Sequence, residues 1–349
     1  MKLELETKYD ISFDLKEITN NQSDLGLLLW NFYLDSQFIY PEKLSLLEPN
    51  KEEVINTFNK LLISSSNTVK YCFVLRDKAI VGSMMTIQYT NDTWVIQHLA
   101  VLPKYRKTAV IKMLLLSINE WMIKNSKMLF FQNYFQPKTK VAYKTFKSMY
   151  KFSQAENHMS LMTLGYFFNN NEEINNDDSD ISISDLTQNN YSKIFKQLTQ
   201  KYHTTYCEAL GLKKDRFDID KAVKNFANLG LTRGRKYIVI KIKEDCIAVA
   251  VIDSSTVGIN LSYFFDCIHL LIIDDSFIES TVQAINSVLC EYNKDIPILI
   301  ENKYSSEVVK MGFTKKRTYM LYNLSSKNDM FKSMYNNLNK ENRKFISND

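Results

Sequence analysis

The sequence predicts an α/β fold of the α+β kind: two tandem domains, each a mixed, mostly antiparallel sheet flanked by helices. Three observations carry the prediction. Short runs rich in β-branched and aromatic residues alternate with segments of near-3.6 apolar period along the chain. In each half, two such runs close around a short polar turn and lead into a strand, a helix and a further strand, a meander feeding one parallel crossover. The order also repeats. Ile18-Thr19-Asn20-Asn21 matches Leu186-Thr187-Gln188-Asn189-Asn190, Lys70-Tyr71 matches Lys236-Tyr237, Ile118-Asn119 matches Ile285-Asn286, and Asn133 matches Asn302, at offsets of 166 to 169 residues.

Taken in order, the first copy has a helical region from Gln22 to Leu62. The strand pair opening at Lys70-Tyr71 follows, turning at Arg76-Asp77-Lys78. The next strand ends at Val101, because Pro103 cannot donate to a ladder, and an amphipathic helix starts near Ala109. The strand ending at Asn133, a helix from Val141 to Met149 and a last strand complete it. The second copy turns at Lys243-Glu244-Asp245 and closes its penultimate strand at Asn302. The segment 169–180, NNNEEINNDDSD, has one apolar residue and no period, so it reads as an acidic, Asn-rich linker. The expected boundaries are therefore 1–168 for the first domain and 181–325 for the second, followed by a polar tail, 326–349.

With 349 residues, 45% of them apolar, the chain can bury a large core, and 8 Gly with 5 Pro exclude collagen-like and low-complexity classes. The net charge of +5 is carried by residues 1–168, where 20 Lys and Arg face 15 Asp and Glu. Five cysteines without a CxxC pair, an acidic Met1-Lys2-Leu3-Glu4-Leu5-Glu6 start and no apolar run of membrane-spanning length lead to the expectation of a reduced, cytoplasmic protein without membrane contact. The four histidines (98, 158, 203, 269) are too scattered to suggest a metal site, and the sequence contains no GxSxG elbow, P-loop or HExxH. Lys138, Lys140, Lys144, Lys147 and Lys151 stand at helix spacing and read as a solvated face, so no nucleic-acid partner is expected.

The chemistry concentrates in Trp94–Met122. There a strand, a basic turn (Lys104, Arg106, Lys107) and the start of a helix that carries Lys112 succeed one another. Unpaired amides and the positive end of a helix dipole make such a junction an anion site. The block from Leu99 to Leu115 resembles the acyl-CoA-binding motif of the GCN5-related N-acetyltransferase (GNAT) superfamily, an apolar strand and V-x-P followed by [RQ]-x-x-G-x-[GA] opening a helix. The resemblance places Arg106 at the leading position, Ala109 at the first glycine and Ile111 at the second. It implies acetyl-CoA or another acyl-CoA as co-substrate, bound by Leu99, Ala100, Val101, Arg106, Lys107, Thr108, Ala109, Val110, Ile111 and Asn133, with no metal. Ile111 either blocks one amide or turns into the core and leaves the amides of 107–110 free.

Acyl transfer needs a neutral amine, donors to the developing oxyanion and a proton for the thiolate. The resemblance implies that the oxyanion donor is backbone around Leu99 to Val101, at a strand bulge. His98 is the candidate base, with an ordinary pKa near ~6.5, although a lone histidine on a strand is more often a packed or solvated side chain. The family's acid, a tyrosine, falls at Phe146, so Tyr143 and Tyr150 are the candidate substitutes. Acceptor recognition, for a small-molecule or peptide amine, is expected from the Gln22–Leu62 region, including Phe38, Tyr40 and the loop at Pro41. In the second copy, Asp274, Asp275 and Glu279 replace the basic turn, so that copy is expected to be degenerate and to shape the cleft instead. Its Arg233-Gly234-Arg235 is expected to be solvated. The expected activity is N-acyl transfer, and the alternative is an inactive binding or regulatory protein of the same fold.

Overall fold

The computed structural model describes residues 9–17, 24–63, 68–125, 127–139, 143, 146, 147, 150, 156–167, 180–214, 219–290 and 296–325. The first half comprises β1 (Asp10–Ser12), α1 (Leu25–Asp35), α2 (Pro41–Leu47), α3 (Lys51–Ile63), β2 (Val69–Arg76), β3 (Ala79–Gln88), β4 (Thr93–Val101), α4 (Val110–Asn125), β5 (Phe130–Phe135) and β6 (His158–Phe167). Tyr143, Phe146, Lys147 and Tyr150, between β5 and β6, are helical. The second half repeats the order as β7 (Ile181–Asp185), α5 (Gln188–Lys201), α6 (Thr204–Ala209), α7 (Asp220–Ala227), β8 (Arg233–Ile242), β9 (Asp245–Ser255), β10 (Ile268–Ile272), α8 (Ile278–Cys290), β11 (Ile298–Glu301), α9 (Ser305–Lys310) and β12 (Phe313–Ser325).

Local chemistry explains most of these elements. Asp77 and Lys78 both sit at positive φ, 53° and 64°, the primed-turn geometry whose twist suits the β2–β3 hairpin. Asp24 accepts from the Leu27 amide at 2.9 Å and caps α1. Side chains alternate across the strands: Tyr71 and Phe73 join one core, while Cys72 and Val74 join another. One face of the sheet thus carries a core shared by both halves, built on α1, α3, α5, α6 and α7. The other face carries two separate clusters, one under α4 and one under α8 and α9. Gly82 lets α4 approach its strand, since a Cβ there would lie 2.5 Å from Val110 Cγ1.

The expected mixed, mostly antiparallel sheets with one parallel crossover each are present, as the parallel pairs β4–β5 and β10–β11. They form one sheet of twelve strands in the order β1-β2-β3-β4-β5-β12-β6-β11-β10-β9-β8-β7, and the order is symmetric about its centre. That symmetry is the repeat made visible, with β12 occupying the place in the first half that β6 occupies in the second. Each half's last strand has crossed into the other: β12 pairs β5 from Met320↔Phe135 to Ser325↔Phe130, and β6 pairs β11 from Gly165↔Ile298 to Met162↔Glu301. The divisions expected at 168 and 181 fall in the sequence between β6 and β7, while the sheet continues across the seam. The linker 169–179 and the tail 326–349 lie outside the described residues.

A buried ionic cluster also crosses the seam and corrects the expectation of a solvated Arg233-Gly234-Arg235. Both guanidiniums are fully buried on Asp253, Arg233 at 3.0 Å and Arg235 through two donors at 2.8 Å. Tyr89, from the first half, donates to the same carboxylate at 2.7 Å and meets His269 Nε2 at 3.0 Å. Burial raises the Asp253 pKa, but the two arginines more than offset it, so the carboxyl stays below its ordinary range. The cysteines are all free, with Cys72, Cys207, Cys246 and Cys267 buried and Cys290 exposed. Among the described residues no helix is long and apolar enough to cross a membrane.

Two outcomes follow from the seam. Residues 1–180 expressed alone leave β5 without β12 and β6 without β11, so no cooperative melting transition is expected until residues 181–349 are co-expressed. Asp253→Asn strands two buried guanidiniums and is expected to cost roughly 3–5 kcal/mol in urea denaturation.

Candidate active site

The site begins where β4 falls out of step. β4 and β5 pair in parallel only from Thr93↔Phe130 to Ile96↔Asn133. On its other side, β4 pairs β3 as Met85↔Gln97 and then Ser83↔Ala100, so His98 and Leu99 together face Met84. This is a β-bulge, and His98 takes φ 52°, a region that a residue with a Cβ enters at a cost of about 1–2 kcal/mol. Beyond it the edge of β4 from Gln97 to Val101 has no β5 partner, and the two strands diverge around a cavity of about 750 Å³. A bulge was expected around Leu99–Val101; it lies at His98–Leu99 and opens the same edge.

At one end of this wedge lies the turn Pro103–Tyr105 and the start of α4. Thr108 closes the turn, its hydroxyl donating to the Tyr105 carbonyl at 2.7 Å and accepting from the Val110 amide at 3.4 Å. The amides of Lys107, Ala109 and Ile111 make no hydrogen bond to any described residue. Ile111 packs against the core beside Val110 and Leu114 and forms part of the cavity wall, so its side chain does not plug its own amide.

Among the residues expected to hold a cofactor, Leu99, Ala100, Val101, Arg106, Ile111 and Asn133 line the cavity, whereas Lys107, Thr108, Ala109 and Val110 stand outside its wall. Two roles differ from expectation. The Arg106 side chain is turned away from the α4 amides, donating to the Ser36 carbonyl at 2.7 Å, Gln37 Oε1 at 3.2 Å and the Val101 carbonyl at 3.3 Å. Its charge answers the carbonyl end of α1 and ties the α1–α2 loop to the turn, rather than standing free for a ligand. Val110 is fully buried against Gly82, and its amide is the one that Thr108 occupies.

Of the three candidate catalytic side chains, His98 lines the cavity and the two tyrosines do not. His98 is buried, its Nε2 accepts from the Leu261 amide at 3.1 Å, and its Nδ1 lies 3.4 Å from the Tyr33 hydroxyl. Burial, helped by the charge of Lys43, lowers its pKa to about 3. The ring is therefore neutral, and its accepting nitrogen is engaged by the Leu261 amide at the bulge. Tyr143 and Tyr150 do not line the cavity; Tyr143 accepts from Lys147 at 3.1 Å and Tyr150 meets the Tyr322 ring edge-on. The side chain at the cavity is Phe146, which stacks on Phe131 and Phe135 and has no proton to give.

At the other end the cavity is lined by Phe38 and Tyr40. It is also lined by side chains that the sequence reading did not select: Lys43 from α2, Ser262 and Phe264 from the β9–β10 loop, and Arg317 and Tyr319 from the crossed β12. Lys43, Arg106, Lys138 and Arg317 are the charged lining residues, and no carboxylate is among them. No group of metal-binding side chains is found among the described residues.

The equivalent place in the second half is built differently. β10 runs against β9 without a register break from Ile268↔Ile252 to Ile272↔Ala248. Lys201 donates to the Ile273 carbonyl at 2.9 Å and pairs with Asp275, Tyr202 donates to the Ile272 carbonyl at 2.9 Å, and Tyr304 donates to Asp275 at 2.5 Å.

No family model and no curated protein matches the sequence. Among solved structures the chain is similar to a tandem GNAT protein from the clavulanic acid biosynthesis pathway, at 9% identity and a TM-score of 0.40, covering 78% of this chain and 88% of that one. It is also similar to a putative acetyltransferase from Pyrococcus horikoshii, at 13% identity and a TM-score of 0.48 over 92% and 90%. A third is the PaiA N-acetyltransferase from Thermoplasma acidophilum in complex with coenzyme A, at 17% identity and a TM-score of 0.31 over 40% of this chain and 87% of that one. Similarity at this level assigns no role to any residue here.

The buried histidines set a pH dependence. His98 and His158 titrate near 3 and His269 near 4 in the fold, against about 6.5 unfolded. The unfolded chain therefore binds more protons between these values, so their contribution is full above pH 6.5 and is lost as the pH falls toward 4. The urea midpoint is expected to drop from pH 7 to pH 4.5. His98→Asn, which keeps an acceptor for Leu261, should reduce that slope by up to about 1.4 kcal/mol per pH unit.

Proposed function

We propose that the chain is an acyl-CoA-dependent N-acyltransferase of the GNAT type, which binds its co-substrate in the first half and uses the second half to complete the acceptor side of the cleft. One observation carries this reading. A strand edge bearing a bulge leads directly to unbonded amides at the start of a helix, and the second half has no bulge at the equivalent place. The amides of Lys107, Ala109 and Ile111, with the exposed Lys104 and Lys107, suit a diphosphate and fit such a co-substrate. When bound, an acyl-CoA supplies the acyl carbonyl and a sulfur leaving group.

The residues of this chain then have distinct tasks. The open β4 edge offers backbone donors to the carbonyl oxygen as negative charge develops there. The acceptor nitrogen forms the new C–N bond while the C–S bond breaks, and its proton passes to solvent or to the departing thiolate. With His98 sealed, the cleft itself does the work of a base. Four cationic side chains and no carboxylate disfavour an ammonium and so lower the pKa of an incoming amine. The same positive field stabilises a thiolate, which with an ordinary pKa near ~8.5 leaves without a donor from Phe146.

A second reading, a binding protein of the same fold without turnover, is favoured by the sealed His98 and by Phe146 in the cleft. Thermal shift followed by product assay separates the two. Coenzyme A or acetyl-CoA at about 100 times its Kd should stabilise the protein by roughly 2.7 kcal/mol. Ala109→Pro, which removes one amide at a position where proline suits a helix start, should abolish the shift, and Asp274→Lys in the second half should leave it unchanged. Binding without acylated product from any amine would establish the second reading; absence of any shift would overturn the first.

A further inference from the structure

Lys43 is the least explained charge in the molecule. It is 6% exposed, and no described residue forms a hydrogen bond or ion pair with it. Its ammonium lies 4.1 Å from the centre of the Phe38 ring and 5.4 Å from that of Tyr40, and its remaining side is the cavity. A buried ammonium with only ring faces for company is costly, and cores of this kind ordinarily place a carboxylate beside it or replace it with an apolar residue. This cavity does neither. Arg317 stands over the same Tyr40 ring, 4.6 Å from its centre, and lines the same cavity; it is delivered by the crossed strand just after a register break at Lys316.

We infer that Lys43 and Arg317 form a carboxylate-binding subsite in the acceptor arm of the cleft, so that the acceptor is an amine that also carries a carboxylate. The inference rests on the acyltransfer reading for the word acceptor, but the subsite itself is argued from the two cations alone. A guanidinium meets a carboxylate with two parallel donors, and the ammonium supplies the second charge. Two cations that share one aromatic ring and line one cavity suit a compact anion held by one end, and leave the amine to reach toward the bulge. An amine without a carboxylate gains nothing from either side chain and enters a cleft that repels it. The subsite also explains why both halves are needed: α2 brings one cation and the second half's last strand brings the other.

The test uses the full chain and product-like probes that bear a carboxylate but no reactive amine: the N-acetyl derivatives of the twenty amino acids and their carboxamides. Binding is read by thermal shift without any coenzyme. At least one N-acetyl amino acid is expected to bind about tenfold or more tightly than its carboxamide, consistent with a hydrogen bond between charged groups. Lys43→Met should erase that acid-over-amide preference without lowering the melting temperature, since it removes an unpaired buried charge. Arg317→Gln, at a half-exposed position, provides the same reading should the first variant fail to fold. Equal binding of acids and amides, no binding by any N-acetyl amino acid, retention of the preference in either folded variant, or a preference for inorganic phosphate over every carboxylate would overturn the inference. A coenzyme A shift measured in parallel keeps the two readings apart, because loss of one leaves the other standing.

Discussion

The edge that the cleft uses depends on one residue of β4 held in a backbone conformation that it does not favour. His98 at positive φ adds a residue to β4 opposite β3, and β4 makes no pair with β5 beyond Ile96. A conformation of that cost persists only where its surroundings over-determine it. Here the surroundings are aromatic and polar together: Tyr33, Phe38 and Phe58 enclose the ring, and the Leu261 amide occupies its nitrogen. Leu261 belongs to the second half. The bulge of one half is therefore held by the backbone of the other.

The same division of labour appears across the seam. Exchange of the last strands makes β12 a wall of the first half's cleft, and the Asp253 cluster locks Tyr89 of the first half onto the ions of the second. Three buried charges of two signs leave one net positive charge in the interior. Stacking of Arg233 on Phe265, 4.1 Å from the ring centre, and of Arg235 on Tyr89, 4.5 Å away, provides part of the compensation. The cluster does not stabilise by being charged, since an apolar replacement of like shape can do as well. Its stronger effect is on register, because only one alignment of the halves satisfies all four side chains.

Much of this was legible in the residues, and what was not has identifiable causes. Period-2 alternation, turn chemistry and the 166–169 offset located the strands, both crossovers and the duplication, because these signals are local. The strand exchange was not legible: β6 and β12 carry similar patterns, and nothing within a strand records which neighbour it pairs with. Arg106 misled for the opposite reason, since a basic turn before a helix reads as an anion site whether or not one of its cations is spent on a nearby carbonyl. His98 and Arg233-Gly234-Arg235 were read by residue type, as titratable and as solvated, when burial decides both. Lys43 gave no signal at all. A single lysine in PEKLSLL looks like any exposed helix residue, and only the packing of Phe38 and Tyr40 around it shows otherwise.

The two copies also show how a site is closed without changing a fold. In the first half the end of β4 and the start of α4 keep unbonded backbone groups, which an exposed junction can leave to water or a ligand. In the second half the corresponding carbonyls of Ile272 and Ile273 are taken by Tyr202 and Lys201 from α5, and Asp275 is taken by Lys201 and Tyr304. Each of these contacts satisfies a polar group at the junction from within the chain, and β10 carries no bulge against β9. Three differences separate the halves here: acids in the turn, a long cation one helix away and a strand without a bulge. Restoring the turn's charge alone would leave the other two in place, which is why the asymmetry between the halves is a property of the backbone as much as of its side chains.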